Sequence, residues 1–194
     1  MSRGARHILF LAVLSAAACA KGEERASAAD SAATPMPAPP ATAASPAEWR
    51  VTELGLGPLH VGMTVAEAAA VVPGTFTSPS GDGASECEYA AWSDAPAGIH
   101  VMLISGSVAR IDVDSHAVLT EAGAGVGSSE GRIDSLYQGR VRRMPHKYRT
   151  GASYLVVVAP ADTMNRIVFE TDGTVVTTYR AGRFPPVEYV ERCG

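Results

Sequence analysis

The pattern of apolar and polar residues predicts short helices that alternate with β-hairpins. Apolar runs at Ile99 to Ile104 and Val108 to Asp114 flank Ser105-Gly106-Ser107, which is typical of a hairpin. Tyr154 to Val158 and Arg166 to Thr171 have the same pattern around a second polar linker. We expect two hairpins, one in each half of the chain.

Two further strands are predicted near the C-terminus. Asp172-Gly173 is a strong tight-turn sequence and leads into Thr174 to Tyr179, which is rich in β-branched residues. Val187 to Val190 follows a proline pair and is predicted to be a last edge strand, because prolines are tolerated where an edge strand begins.

Two stretches of the chain, one in each half of the domain, resemble each other. Val61 to Gly74 and Val126 to Gly139 each contain Val-Gly, a hydroxyl residue, a short helical pattern, an apolar pair and a closing glycine. Thr64, and Ser128 or Ser129 in the second stretch, are natural N-caps of a helix of about ten residues. The closing glycines suit the left-handed conformation that ends a helix.

These elements predict an α+β fold with two tandem repeats of short helices and antiparallel sheet. The folded domain is expected to span 49–194, with repeats at about 55–118 and 120–194, because Trp49 is the first aromatic residue after a long low-complexity stretch. Helices are expected to cover one face of the sheet.

The N-terminus has the pattern of an export signal, predicted at 1–18. Arg3 and Arg6 precede an apolar run, Ile8 to Ala18, that ends at Cys19 and is too short for a transmembrane helix. Small residues directly before Cys19 resemble a bacterial lipobox, which implies a lipidated (palmitate-carrying) Cys19. The alternative is ordinary cleavage after Ala18 and a freely secreted protein.

The segment 19–48 has the composition of a disordered linker. Ala, Pro, Ser and Thr make up most of the stretch from Ala20 to Glu48, which has no aromatic and no β-branched aliphatic residue. A flexible chain of this length spans about 30 Å. We therefore expect a tether that holds the domain away from a membrane.

Three cysteines in an exported protein require an explanation, because one of them has no partner. If Cys19 carries lipid, Cys87 and Cys193 remain, and an oxidising compartment favours a disulfide between them. The chain-entropy model gives a loop of this length about 4–5 kcal/mol of stabilisation. Two separate buried thiols are the alternative.

The residues Gly57 to Thr64, followed by Glu67-Ala68, resemble the G-M-[ST]-x-x-[DE] helix start of small bacterial envelope proteins. These include the lipoprotein subunit of the outer-membrane β-barrel assembly machinery. The duplicated unit resembles β-lactamase inhibitory protein, whose tandem repeats present a concave sheet to another protein. Ile167 to Cys193 is similar to the closing stretch of uncharacterised exported bacterial proteins. The resemblance implies a repeat scaffold that binds proteins.

Composition and charge argue against several functions. A formal net charge of −4, which becomes −6 once the signal is removed, disfavours a nucleic-acid binder. The sequence contains no zinc-type Cys/His spacing, dinucleotide fingerprint or phosphate-binding glycine loop, so no cofactor and no metal are expected.

Candidate catalytic residues are few. Gly127 to Gly131 matches the G-x-S-x-G nucleophile elbow, but it follows a loop and is better explained by helix capping. Asp112 and Asp114 share a strand face with Arg110 and could serve a glycosidase or bind calcium. A solvated strand face balanced by arginine is the simpler interpretation. The histidines of the predicted folded domain are scattered, at His60, His100, His116 and His146. No enzyme activity is expected.

Two surfaces are candidates for binding. Alternation places Arg166, Val168 and Glu170 on one strand face, and we assign Arg180 to the same open face, which has the composition of a protein-binding surface. The other strand face, with Ile167, should pack on the helices. The second candidate is the basic cluster, Arg140, Arg142, Arg143, Lys147 and Arg149, which could meet anionic lipid or an acidic protein. An ordinary solvated hairpin is the simpler interpretation of this cluster.

These observations predict a non-enzymatic envelope lipoprotein that binds an envelope protein through its sheet face. It would be anchored through its N-terminal lipid, on the periplasmic face of the outer membrane. Two alternatives remain: a small-ligand, lectin-like carbohydrate-binding protein, and an inhibitor of a secreted enzyme. A deep pocket with converging polar groups would favour the ligand, and a large exposed patch with aromatic residues would favour the protein.

Overall fold

The computed structural model of the protein describes residue 45 and residues 48–81, 85–159 and 161–194. The predicted signal at 1–18, Cys19 and nearly all of the predicted linker lie outside the described residues.

The described chain has an α+β fold, as the sequence predicts. Its α-helices are α1 (Val65–Val71) and α2 (Glu130–Leu136). The strands, in chain order, are β1 (Val51–Thr52), β2 (Gly55–Leu56), β3 (Leu59–His60), β4 (Phe76–Thr77), β5 (Cys87–Tyr89), β6 (Ala91–Trp92), β7 (Ile99–Ile104), β8 (Ser107–Val113), β9 (Val141–Pro145), β10 (Ser153–Val158), β11 (Asn165–Thr171) and β12 (Val176–Arg183).

Seven strands form one antiparallel sheet in the order β5-β7-β8-β12-β11-β10-β9. Both predicted hairpins are confirmed: β7 pairs with β8 through Ser105-Gly106, and β10 pairs with β11. Positive φ at both Ser105 and Gly106 gives the tight two-residue turn that matches the twist of the strands. Two smaller sheets, β1-β2-β3 and β4-β6, complete the described strands.

The starts of the two helices make the same backbone contacts in both halves of the chain. The Gly62 amide donates to the Val108 carbonyl at 2.7 Å, and the Gly127 amide donates to the Val176 carbonyl at 2.8 Å. Thr64 forms a bridge with Ser107, just as Ser129 does with Val175. The similarity between the two helix-start sequences therefore corresponds to similar local structure.

The central strand pair joins the two halves of the domain. In the β8–β12 pair, Asp112 lies opposite Arg180, with Val113 opposite Tyr179 and Ile111 opposite Ala181. β12 is the middle strand of the seven. The polar side chains of Asp112 and Arg180 are consequently at the middle of the sheet.

The main hydrophobic core lies on the helix side of the sheet. Inward residues such as Leu103, Ile111 and Phe169 pack with Ala68 of α1 and Ile133 of α2. Ile167 and Phe169 belong to this core, which confirms that this face of β11 packs on the helices. We call the opposite side of the seven-stranded sheet the outer face.

Candidate functional site

The C-terminal residues 184–194 form a segment that we call the strap. It leaves β12 and contacts β8, β11 and β12 through a 3-10 helix at Pro186–Glu188. Its far end is joined to β5 by the disulfide Cys87–Cys193, across 106 residues of sequence. The predicted disulfide is confirmed. It holds the far end of the strap, while the near end is continuous with β12.

The prediction of an edge strand at Val187 to Val190 is wrong. Pro185 and Pro186 have no amide hydrogen to donate to a neighbouring strand, and the amides of Glu188 and Tyr189 close turns onto Pro185 and Pro186. The carbonyls of this segment point instead to arginines of the sheet. The segment therefore lies across the strands rather than beside them.

Arg110 makes the most contacts with the strap. It is 1% exposed, and its Nη1 donates to the carbonyls of Pro186 at 3.0 Å and Tyr189 at 2.8 Å. Its Nε donates to Asp112 at 3.0 Å, and Nη2 donates to the Tyr89 hydroxyl at 2.9 Å. Gly182 lies opposite Arg110 on β12, where a Cβ would come within 2.8 Å of the Arg110 Cα. A side chain at Gly182 would therefore displace the arginine.

Asp112 and Tyr89 complete the contacts around Arg110. The Tyr89 hydroxyl donates to Asp112 Oδ2 at 2.9 Å. Burial, together with the negative charge of Asp112, raises the pKa of Tyr89 to about 12. Tyr89 therefore remains a protonated donor at physiological pH.

Arg180 is the second strap-binding arginine. Its Nε donates to the Val187 carbonyl at 2.6 Å, and its Nη1 lies 3.2 Å from Glu170 Oε2. Burial, and next the charge of Arg110, lower the pKa of Arg180, while Glu170 and Asp112 favour its charged form. Two buried arginines thus hold three carbonyls of the strap, those of Pro186, Val187 and Tyr189.

Glu170 connects Arg180 to His146. The His146 Nε2 lies 3.0 Å from Glu170 Oε1, and its Nδ1 accepts the backbone amides of Tyr148 and Arg149. Because Nδ1 accepts hydrogen bonds, Nε2 carries the ring proton and donates a hydrogen bond to Glu170. Burial raises the pKa of Glu170, but the His146 hydrogen bond and the Arg180 charge outweigh it, and the net pKa is lowered.

An apolar contact adds to these polar ones. Val187 is fully buried and packs against Tyr154, Val156 and Val168, which form a small hydrophobic cluster on the outer face. Next to it, Glu188 accepts from Arg166 and, at 3.1 Å, from Arg142. We call the surface beneath the strap, formed by Arg110, Tyr154, Val156, Val168, Glu170 and Arg180, the strap groove.

The sequence assigned Arg166, Glu170 and Arg180 to an open face, and the structure corrects this assignment. The three side chains do share the outer face, and Glu170 contacts Arg180 directly. However, Arg180 is only 6% exposed, because the strap covers it. The sequence analysis missed the strap, although the proline pair and Cys193 were visible signs that this segment leaves the sheet.

The Asp112 and Asp114 carboxylates do not act as a pair. Asp112 is 8% exposed and bonded to Arg110, whereas Asp114 lies 3.2 Å from His100. The interpretation of a solvated face is therefore wrong for Asp112. Among the described residues, no three His, Cys, Asp or Glu side chains converge as a metal site requires.

The G-x-S-x-G sequence caps α2. Ser129 Oγ accepts the Arg132 amide at 3.2 Å, and Ser128 Oγ accepts the Gly125 amide at 3.1 Å. In the first half, Thr64 and Glu67 form a complete capping box at the start of α1. The capping interpretation of both motifs is confirmed.

The basic cluster is largely neutralised within the chain. Four of its five cationic side chains pair with carboxylates: Arg140 with Glu53, Arg142 with Glu188, Arg143 with Glu130 and Asp134, and Lys147 with Glu191. These pairs weaken the field that an anionic lipid surface would meet.

Cavities lie beside the strap and beside α1. A polar cavity of about 170 Å³ lies between the strap and the sheet, with Arg110, Glu170 and Arg180 among its walls. Another, of about 210 Å³, is lined by the Val156 cluster, Arg180 and Lys147. An open groove of about 620 Å³ lies between α1 and the β7–β8 turn. Unlike the groove at α1, the two cavities beside the strap include residues that the sequence singled out for binding.

Exposed apolar side chains gather around the strap. Six large apolar side chains are exposed in the part of the chain that the structure describes, and four of them belong to this region: Tyr148, Met164, Phe184 and Tyr189. The Tyr148 hydroxyl contacts Glu191, and the Phe184 amide donates to the Met164 carbonyl at 2.7 Å. We call this surface, with Arg142 and Arg166 beside it, the strap face.

Comparisons with known proteins include a structural likeness of low identity. No protein-family model matches the sequence, and no curated protein matches it significantly. The fold is similar to the crystal structure of the uncharacterised protein YfeY from Escherichia coli, with a TM-score of 0.44 and 14% identity. The alignment covers 69% of this chain and 99% of that one.

In the ranges that the structure describes, neither α1 nor α2 is long and apolar enough to span a membrane, and no other helix there is.

Proposed function

We propose that this chain is a non-enzymatic lipoprotein of the bacterial cell envelope that binds a protein partner through its strap face. The observation that carries the proposal is the concentration of exposed apolar and aromatic side chains on and beside the strap, next to the exposed side chain of Arg142. Tyrosine and arginine are the residue types that most often anchor protein interfaces. This surface replaces the bare sheet face expected from sequence.

The disulfide supports an extracytoplasmic location. Cys87–Cys193 joins distant parts of the domain, and such structural disulfides persist in oxidising compartments. The N-terminal apolar run ending at Cys19 fits the same location, with a lipid at Cys19 and residues 20–48 as the tether. The proposed anchor is the outer membrane, with the domain on its periplasmic side.

The buried charged groups support a structural rather than a catalytic role for themselves. Arg110 and Arg180 are occupied by strap carbonyls, and Glu170 and Asp112 by those arginines. A general acid or base needs a free hydrogen-bonding position toward substrate. In this protein the same positions hold the strap in place and so shape the binding surface.

The experiment compares two double variants in affinity capture from envelope extracts. Tyr148→Ala with Tyr189→Ala removes two exposed tyrosines of the strap face, while Leu54→Ala with Val71→Ala removes exposed apolar groups outside it. We expect the tyrosine variant to lose at least about tenfold of the captured partner, and the control to retain it. Quantitative mass spectrometry measures the capture.

Thermal unfolding of both variants shows whether the fold is retained. Since all four side chains are exposed, both unfolding temperatures should stay close to that of the wild type. Equal capture by the folded tyrosine variant and the wild type, for every enriched protein, would exclude the strap face as the binding surface.

A further inference from the structure

The strap groove holds the strap through hydrogen bonds to the backbone of the strap. Three strap carbonyls, from Pro186, Val187 and Tyr189, accept hydrogen bonds from Arg110 and Arg180. Carbonyls are present in every peptide, so these contacts do not depend on the strap's own side chains. The groove therefore has the chemistry of a peptide-binding site that is occupied by the chain's own C-terminus.

Two side chains add specificity to this backbone contact. Val187 fills the apolar cluster of Tyr154, Val156 and Val168, and its exposure is 0%. The next residue, Glu188, pairs with Arg142 and Arg166 at the edge of the groove. A matching ligand is a segment in which a β-branched apolar residue is directly followed by an acidic residue. Prolines precede this pair and suppress strand pairing.

An uncovered groove would be unfavourable. Without the strap, the Arg110 and Arg180 guanidiniums would lose three carbonyl partners that are held in fixed positions, and water would have to replace them. The small cluster around Val156 would also be exposed. Both effects favour refilling the groove with another segment of the same chemistry.

From this arrangement we propose that the strap groove is a binding site for a segment of another protein with the chemistry of the strap, and that the Cys87–Cys193 disulfide controls access to it. The strap is held at Arg183 by the chain and at Cys193 by the disulfide. Two tethers give it an effective concentration that a free segment does not match. This site lies beneath the strap face and does not depend on the proposed function.

Opening the disulfide removes one tether. A dithiol reductant attacks one sulfur of Cys87–Cys193, forms a mixed disulfide, and then closes its own disulfide, which leaves two protein thiols. Two electrons and two protons pass from the reductant to the protein sulfurs. Cys87 and Cys193 are only half-buried, so a reductant can reach them.

The experiment supplies the strap in trans. The probe is a fluorescent peptide with the sequence of residues 184–192, and the receptor is the full chain carrying Cys87→Ser, Cys193→Ser and Val187→Asp, whose own strap is untethered and unable to fill the apolar cluster. Fluorescence anisotropy measures binding. The control peptide carries V187D, which leaves the receptor unchanged.

We expect the wild-type peptide to bind this variant at least tenfold more tightly than the V187D peptide, and at least tenfold more tightly than it binds the oxidised wild-type chain. Failure of a folded variant to bind, or equal binding of the two peptides, would overturn the proposal. A dimer of the variant carrying only the two Cys→Ser changes, without peptide, would assign the groove to a second copy's strap instead.

A second measurement covers the case in which the triple variant does not fold. In the wild-type chain, the amides of Glu188 and Tyr189 donate within the strap. We expect their hydrogen exchange to become at least tenfold faster with a dithiol, while the β10–β11 amides stay protected. Unchanged strap exchange after complete reduction would overturn control by the disulfide.

Discussion

Arg110 and Arg180 hold the strap because their guanidiniums reach main-chain carbonyls and carboxylates at the same time. Each pairs with one acidic residue, Asp112 or Glu170, so that neither charge is buried alone. The five N–H groups of arginine allow bonds to carbonyls and to a carboxylate at the same time, which the single ammonium group of lysine could not reproduce. At the residue scale, the outer face is therefore organised by hydrogen bonding from the sheet to the strap.

Glu170 should make the fold sensitive to acid. Its pKa is lower in the folded protein than in the unfolded chain, where it is about 4.3. Its carboxylate therefore stabilises the fold above that value, and the stabilisation is lost as the pH falls through the folded-state pKa. We expect the unfolding temperature of Glu170→Gln to fall less between pH 7 and pH 3 than that of the wild type.

Glu191→Gln is the matched control for this prediction. Lys147 and Tyr148 lower the pKa of Glu191 as well, but its side chain is 60% exposed and its interactions are screened by water. Its acid sensitivity should equal that of the wild type. Circular dichroism measures the unfolding temperatures. The prediction fails if the unfolding temperatures of Glu170→Gln and the wild type fall by the same amount between pH 7 and pH 3.

At the scale of elements, both α-helices are shorter than the length expected from sequence. Each has 7 residues, because α1 becomes extended at Val72 before Pro73, and α2 ends at Tyr137. Isolated helices of this length are unstable in water. Whether the two helices form consequently depends on their caps and on the packing of Ala68 of α1 and Ile133 of α2 in the hydrophobic core.

Ser129→Ala should destabilise the domain by about 1 kcal/mol, because it removes the side-chain acceptor for the Arg132 amide at the start of α2. Ser135→Ala on the same helix is the control. Ser135 is exposed and donates back to the Gly131 carbonyl, so alanine should be neutral or slightly stabilising there. Urea unfolding measures both, and equal effects would contradict capping by Ser129.

At the scale of the whole molecule, the sheet joins the two halves of the domain, and the disulfide joins β5 to the strap. Arg180 lies opposite Asp112 at the middle of the sheet and also binds the strap through the Val187 carbonyl. Cys87 on β5 and Cys193 on the strap are far apart in sequence but adjacent in space. This cross-link suits a domain exported to an oxidising compartment.

The proposed anchor is also a property of the whole molecule. We expect Cys19→Ser to move the protein from the membrane fraction to the soluble fraction, because serine lacks the sulfur to which the proposed lipid anchor would be attached. Cell fractionation and intact-mass measurement test this. Ser15→Ala, inside the apolar run, is the control and should leave the mass of the mature protein unchanged. Membrane association of Cys19→Ser with an unaltered mature mass would argue against lipidation.

The sequence by itself determined the local features of this protein and one long-range cross-link. Strand alternation predicted the two hairpins, hydroxyl residues before helical patterns predicted the caps of α1 and α2, and the count of cysteines predicted Cys87–Cys193. These features depend on neighbouring residues or on residue type alone. They therefore do not require knowledge of which elements meet in space.

Only the tertiary structure decided what covers the outer face. Alternation correctly placed Arg166, Glu170 and Arg180 on one side of the sheet, but it also suits a sheet side that faces water. The prolines disfavour a strand at Val187, but the path of the strap across the sheet also depends on Arg110, which bonds the Pro186 carbonyl from 76 residues earlier in the chain. Arg110 and Arg180 lie on neighbouring strands because β8 pairs with β12, and no local pattern encodes that pairing.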